Sequence, residues 1–255
     1  MPLTLTSLNG IPLVEPGDSL PDILENALKN NKLTIQENDI LVLAQKIVSK
    51  AENRLVNLTT VTPSAQASEI AQKTEKDPRL IELILNESQE VLRVRTGTII
   101  VQHKNGFVCA NAGIDHSNVQ APWGKPEDWV LLLPVDADQS AKIIRDTLKK
   151  RFKKNIGVMI IDTHGRAWRI GTVGACIGLA GLPGVVDLRG VPDMFGYELR
   201  VTQVGAADEL AAAASLMMGQ AAESTPAVHV RGFPYPLREG TLQELIRPKE
   251  MDLFR

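Results

Sequence analysis

Cysteine is almost absent from this sequence: Cys109 and Cys176 are the only two in 255 residues. A disulfide framework is excluded on that count, and a reducing cytoplasm is the expected location. The four histidines, His103, His116, His164 and His229, stand at no zinc-ligand spacing with those cysteines, which argues against a structural zinc site. Aromatic residues make up only 4% of the chain, so the core has to be built from Leu, Ile, Val and Ala. Neither sign of charge dominates. A net charge of -2 gives no electrostatic reason to expect nucleic acid or an anionic membrane as partner. No basic segment followed by an apolar stretch opens the chain, so no signal peptide is expected. The longest uncharged apolar run, Ile170 to Val186, is interrupted by Gly171, Gly174, Gly178, Gly181, Pro183 and Gly184. It reads as buried backbone rather than as a membrane span. The same stretch holds neither Gly-x-Gly-x-x-Gly nor Gly-Lys-Ser/Thr, so a bound nucleotide would need a scaffold other than a Rossmann turn or a Walker A loop.

What is present is enough chain for one large domain or two small ones with a substantial core. The turn Pro16-Gly17-Asp18-Ser19 and Pro21 predict a helix running to about Asn30. Asp39 to Gln45 predicts a buried strand leading into Lys46–Lys50. Residues Pro63 to Leu92 predict two helices, the second capped by Asp77-Pro78 and striped with Leu80, Ile81, Leu83, Ile84 and Leu85. Strands are expected at Thr98–Gln102, Phe107–Ala110 and Trp129–Leu133, with a hairpin turn at Lys104-Asn105-Gly106. An amphipathic helix follows over Asp138–Lys154, with Ile143, Ile144, Leu148 and Phe152 on one side. A strand from Gly157 is expected to end in a turn at Asp162, with Arg166–Ile170 as the returning strand. Glu198–Val204 predicts a strand, Ala206–Gln220 an Ala-rich helix and Val228–Val230 a last strand. Hairpin signals outnumber βαβ units, which predicts an α+β fold: a large mixed, mostly antiparallel sheet with flanking helices. The Gly-rich middle is the one candidate boundary within residues 1–255.

Two apolar strands each end in oxygen-bearing side chains. Gly106-Phe-Val-Cys-Ala-Asn-Ala-Gly-Ile-Asp-His-Ser-Asn118 presents Asp115, Ser117 and Asn118 just after Gly113. Gly157-Val-Met-Ile-Ile-Asp-Thr-His-Gly165 delivers Asp162 and Thr163. Hard oxygen ligands at two strand ends suit a divalent cation on a phosphate. Each segment alone is also ordinary turn chemistry, and their joint occurrence is what favours a site. From spacing alone Lys50 reads first as a solvated helix residue, with a point charge on a nucleotide phosphate as the alternative. The run Lys149–Lys154 is most simply the solvated C-terminal end of a helix.

These segments resemble the coenzyme F420:L-glutamate ligases, the gamma-glutamyl ligases. The resemblance rests on Gly106 to Val119, Asp162-Thr-His-Gly-Arg-Ala-Trp-Arg169, Ala180-Gly-Leu, Asp187-Leu-Arg-Gly190 and Ala207-Asp-Glu-Leu-Ala-Ala-Ala-Ala214. Val230-Arg-Gly232, Gly10-Ile-Pro-Leu-Val14 and Val48-Ser-Lys-Ala-Glu52 extend it over nearly the whole chain. It implies an unusual α+β fold in one ligase domain over residues 1–255, intertwined subdomains being an open alternative, and a homodimer. The implied activity joins L-glutamate through its amine to a carboxylate of the deazaflavin F420 precursor. GTP is the implied co-substrate, an acyl phosphate the intermediate, and two divalent ions, Mg2+ or Mn2+, the cofactors, with K+ as a further candidate. By resemblance Asp115 and Asp162 hold metal, with Thr163 and Gln220 at a second ion. Ile11, Pro12, Leu13, Val14, Gln45, Lys46, Lys50 and Asn118 are then the nucleotide's neighbours. The loop Met218, Gly219, Gln220, Ala221, Ala222, Glu223, Ser224 and Thr225 closes over it. Arg166, Arg169 and Arg189 are candidate cations for the glutamate carboxylates, and no residue stands out as the base. A folate-like or other pterin acceptor, a phosphohydrolase and a non-catalytic nucleotide- or metal-binding protein remain alternatives.

Overall fold

The computed structural model describes residues 2–119 and 122–252. In chain order the elements are β1 (Thr4–Ser7), α1 (Leu20–Asn30), β2 (Ile40–Ala44), α2 (Gln45–Ala51), β3 (Leu55–Asn57), α3 (Ala65–Thr74), α4 (Pro78–Asn86), β4 (Ser88–Arg95), β5 (Thr98–His103) and β6 (Val108–Ala110). There follow β7 (Trp129–Leu131), α5 (Ala137–Phe152), β8 (Gly157–Gly165), β9 (Thr172–Ala180), β10 (Val186–Asp187), β11 (Gln203–Val204), α6 (Ala206–Met218) and β12 (Ala227–Arg231). Five strands form the main sheet in the order β1-β12-β2-β8-β9. Its pairings are antiparallel except for the parallel β2–β8 pair. Smaller sheets hold β4-β5-β6, β3-β7 and β10-β11. The fold is α+β with mixed, mostly antiparallel sheets, as the sequence predicts.

Both faces of the main sheet are covered, which is why its strands read as unbroken apolar runs rather than alternating ones. Leu41 and Leu43 of β2, with Val158 and Ile160 of β8, join the cluster that includes Ala137, Ala141, Ile144 and Leu148 of α5. Their neighbours Ile40, Val42, Met159 and Ile161 join the other cluster, with Leu210, Ala211 and Ala214 of α6. The period-2 alternation of a strand distributes them in this way. Ile40 to Leu43 are all fully buried, each contributing about 1.5–3 kcal/mol of hydrophobic stabilisation. At Gly174, α6 lies so close to β9 that a Cβ would meet the Ala211 carbonyl oxygen at 2.4 Å.

Helix starts follow their signals. Asp77 accepts a hydrogen bond from the Arg79 backbone at the head of α4, and Pro21 stands in the first turn of α1. The structure corrects other boundaries. Residues 88–92 belong to β4 and not to the preceding helix; α4 ends at Asn86. Ile143 is 56% exposed, because the buried stripe of α5 runs through Ala137, Ala141, Ile144 and Leu148, at spacings of 3 and 4, and Ile143 precedes it by 100° of rotation. The strand from Gly157 does not turn at Asp162: β8 continues through Gly165, with Asp162 paired to Ala175 and Thr163 to Gly174. Arg166–Ile170 is therefore the hairpin loop, and the returning strand is β9. Of Glu198–Val204 only Gln203 and Val204 are strand, while Glu198 makes an isolated bridge to Pro192. The basic run is as solvated as expected, except that Arg151 pairs with Asp22 and Glu25 of α1.

Both thiols are buried and free. Burial, with the charge of Asp162, pushes Cys109 up to about 12, and burial raises Cys176 well above its ordinary value. Since the thiolate is the reactive form, native protein is expected to react with a disulfide reagent only as fast as it opens, both thiols becoming titratable in denaturant. Prompt labelling of the native protein would contradict the burial.

Candidate active site

The parallel pairing of β2 with β8 brings the C-terminal ends of two central strands side by side, Ala44 opposite Ile161. Gln45 and Lys46 follow one strand end, and Asp162 and Thr163 extend the other. A cavity of about 670 Å3 opens there. Its wall takes in Ile11, Pro12, Leu13 and Val14 from the segment after β1, and Gln45, Lys46 and Lys50 from α2. Asn118, Asp162 and Thr163 complete one side, and residues 218–226 the other. The sixteen residues expected to surround a nucleotide thus line one cavity, as do the expected metal ligands Asp162, Thr163 and Gln220.

Asp115 stands immediately behind this wall. Its backbone is bridged to Leu131 of β7, through Asp115 N to Leu131 O at 3.0 Å and Leu131 N to Asp115 O at 2.9 Å. The approach to it is a left-handed turn in which Asn111, Ala112 and Gly113 all have positive φ. Gly113 is required there, since a Cβ would lie 2.6 Å from a methyl of Leu133. Ala112 in the same region is backbone strain of about 1–2 kcal/mol, of the kind that collects at functional loops. The Asp115 carboxylate accepts from Gln45 Nε2 at 2.6 Å and from Lys46 Nζ. Burial raises the Asp115 carboxyl above its ordinary value; Lys46 opposes this, and the negative charge of Asp162 adds to it. The two carboxylates are therefore close enough to feel each other electrostatically. On α2, burial and the neighbouring Lys46 charge both lower Lys50. A pair of lysines crowded at one cavity wall relieves that repulsion best by sharing an anion.

The loop after α6 is held by local bonds. Thr225 Oγ1 donates to the Met218 carbonyl at 2.9 Å, and Glu223 accepts from the Ala221 backbone at 2.7 Å. Asn118, itself at φ +56, donates to the Ala221 carbonyl at 3.3 Å and so ties the Asp115 loop to this one. Gly219 adopts φ +75 and ψ -175, a conformation open almost only to glycine. Gln220 Nε2 donates to Ser215 Oγ at 3.0 Å, so the amide oxygen is the atom this side chain could offer a cation.

The donor set suits a hard divalent cation: two carboxylates, a threonine hydroxyl and an amide oxygen. Among the described residues no three His, Cys, Asp or Glu side chains gather into a metal-holding group. A cation at Asp115 and Asp162 would complete its shell with neutral oxygens and phosphate, the habit of Mg2+. Lys46 on Asp115 meets the same need for positive charge.

Other expectations are not brought in. Ser117 is exposed and lines no part of the cavity, and Arg166, Arg169 and Arg189 stand outside its wall. Arg166 donates to the Gly171 carbonyl at 3.1 Å, and Arg189 is paired with Asp187. Ser215 lines the cavity without having been anticipated; a lone hydroxyl on an alanine-rich helix face, one turn from its end, was the available signal.

Comparison with known proteins identifies the family. The family described as F420-0:Gamma-glutamyl ligase matches residues 10–232. The chain belongs to that family. Among curated ligases of the same kind, it is 45% identical to the coenzyme F420:L-glutamate ligase of Methanothermobacter thermautotrophicus over 100% of both chains. It is 42% identical to that of Methanocaldococcus jannaschii, over 87% of this chain and 86% of the relative. The ligase of Methanosarcina mazei is 39% identical over 96% and 92%. The matched span begins at Gly10, just before the cavity segment Ile11–Val14, and ends at Gly232, just after β12, so every cavity residue lies inside it. Among the described residues no helix of this F420-0:gamma-glutamyl ligase family member is long and apolar enough to cross a membrane.

Proposed function

We propose that the protein is a GTP- and divalent-metal-dependent ligase that forms a gamma-glutamyl amide between L-glutamate and a carboxylate of the deazaflavin F420 precursor. The observation that carries this is the single cavity in which Lys46, Lys50, Asp162 and Thr163 meet the 218–226 loop. It has the size of a small-molecule site, and it combines cations for phosphate with oxygens for metal. The names of the relatives supply the substrates.

The chemistry follows from the residues. A carboxylate resists attack by an amine until an oxygen leaves as phosphate, so the terminal phosphoryl group of GTP first moves to it, giving an acyl phosphate and GDP. Lys46 and Lys50 bind and orient the phosphates. Divalent metal at Asp115 and Asp162, with Thr163 and Gln220, would supply charge neutralisation on the phosphate oxygens. The glutamate amine then displaces phosphate and loses a proton. The loop around Gly219 excludes water, which would otherwise hydrolyse the activated carboxylate.

We also infer a homodimer in the cytoplasm. Trp168, Ile170, Met194, Phe195 and Val201 are each at least 85% exposed, on the β8–β9 hairpin loop and the segment between β10 and β11. So much exposed apolar surface on two loops suits burial against a second copy.

Purified protein with GTP, Mn2+ or Mg2+, glutamate and the deazaflavin precursor is expected to release phosphate and yield a product one glutamate heavier by mass spectrometry. GTP turnover without that product would point to a hydrolase, and extension of a folate acceptor instead would move the substrate assignment.

A further inference from the structure

His164 follows Asp162 by two positions on β8, so the two side chains share one face of the strand. His164 Nε2 lies 3.2 Å from Asp162 Oδ2. That nitrogen is fully buried and has no partner in hydrogen-bond geometry. The Phe107 ring packs against the imidazole with centroids 5.2 Å apart, and is itself stacked on His103 at 4.9 Å. Asp162 lines the large cavity; His164 does not. It lines a smaller one of about 250 Å3, alongside Asp208. The Asp162 carboxylate therefore has a cavity side and a histidine side.

We infer that His164 is a positioning residue, donating Nε2–H to Oδ2 of Asp162 and fixing the carboxylate that faces a divalent cation in the large cavity. This rests on the reading of Asp162 as a metal ligand. A buried ring N–H left without an acceptor is costly, and a small rotation of the adjacent carboxylate closes the bond. With the imidazole held by Phe107, the carboxylate is the partner that turns. A carboxylate held from behind by a hydrogen bond presents its oxygens to the ion in one orientation, and loss of such an outer partner typically weakens metal binding 10- to 100-fold. Direct ligation through Nε2 of His164 does not fit, because that nitrogen has no exposed surface.

The test is Mn2+ affinity at saturating GTP, read from the paramagnetic resonance signal of free Mn2+. His164→Ala is expected to weaken binding about tenfold or more. His164→Gln, which keeps an N–H donor, is expected to recover most of the loss. In an Asp162→Ala background the same His164→Ala change is expected to add nothing, since the histidine acts through that carboxylate. Wild-type affinity in His164→Ala would overturn the inference, as would a full additional loss in the double variant. Wild-type protein that takes up no Mn2+ with GTP would overturn the metal reading and this inference with it.

Discussion

Asp162→Ala is expected to lower GTP-dependent ligation by about 1000-fold or more. On the proposed role of Asp162 as a metal ligand, removing its carboxylate forfeits several kcal/mol of charge stabilisation, and each 1.36 kcal/mol is a factor of ten in rate. The fold should survive, because β8 is held by backbone pairing to β9 on both sides of this residue and to β2 up to Ile161. A thermal melt within a few degrees of wild type, together with lost turnover, is the expected pair of results. Activity near the wild-type rate would remove Asp162 from the metal.

Asp39→Ala is expected to act on stability instead. Asp39 is 1% exposed immediately before β2, where its carboxylate meets His229 at 2.8 Å and the Arg231 guanidinium at 2.7 and 2.9 Å. Loss of one partner from a buried ion pair costs about 3–5 kcal/mol. Burial alone would raise this carboxyl, but Arg231 and His229 outweigh it and hold it at about 2, below its ordinary 3.8. A carboxyl lowered by folding stabilises the protein above its unfolded value, and that contribution disappears as pH falls through the folded value. The shift corresponds to about 2 kcal/mol, present above pH 4 and lost towards pH 2. Urea unfolding from pH 2 to 6 should show the gap between wild type and Asp39→Ala narrowing at the acid end. A gap independent of pH would mean that the charge of Asp39 is not what the network uses.

Local signals were legible where local chemistry decides the outcome. Pro21 and Asp77-Pro78 mark helix starts because capping depends on the few residues at a helix end. Val91 and Leu92 continue the apolar pattern of α4, yet they lie in β4, where Val91 pairs with Val101 of β5 and Leu92 sits at a bulge, a long-range arrangement no window of sequence contains. Trp168 and Ile170 look like strand residues by type. Their exposure at a hairpin tip follows from Gly165 and Gly171 bracketing the loop, and from their apolar surface remaining uncovered within one chain. Asp162-Thr-His-Gly165 carries turn residues, but the strand runs on because β9 pairs with it through Gly165. At the level of sequence only the family likeness gathers the segments of the candidate site, because they lie far apart in the chain. Nothing near Asp115 in sequence announces that Gln45 and Lys46 will hold its carboxylate.

The position of β12 has a consequence for how the molecule is made. Residues 227–231 lie between β1 and β2, bonded to both, although they come near the end of the matched region. A chain emerging from the ribosome cannot join its first two strands until this late segment has been synthesised. Until then the edges of β1 and β2 stay open to other chains, and the pocket has no tether for its 218–226 wall. Synthesis rate and chaperone capacity, more than the chemistry of the pocket, would then govern how much active protein a host cell yields.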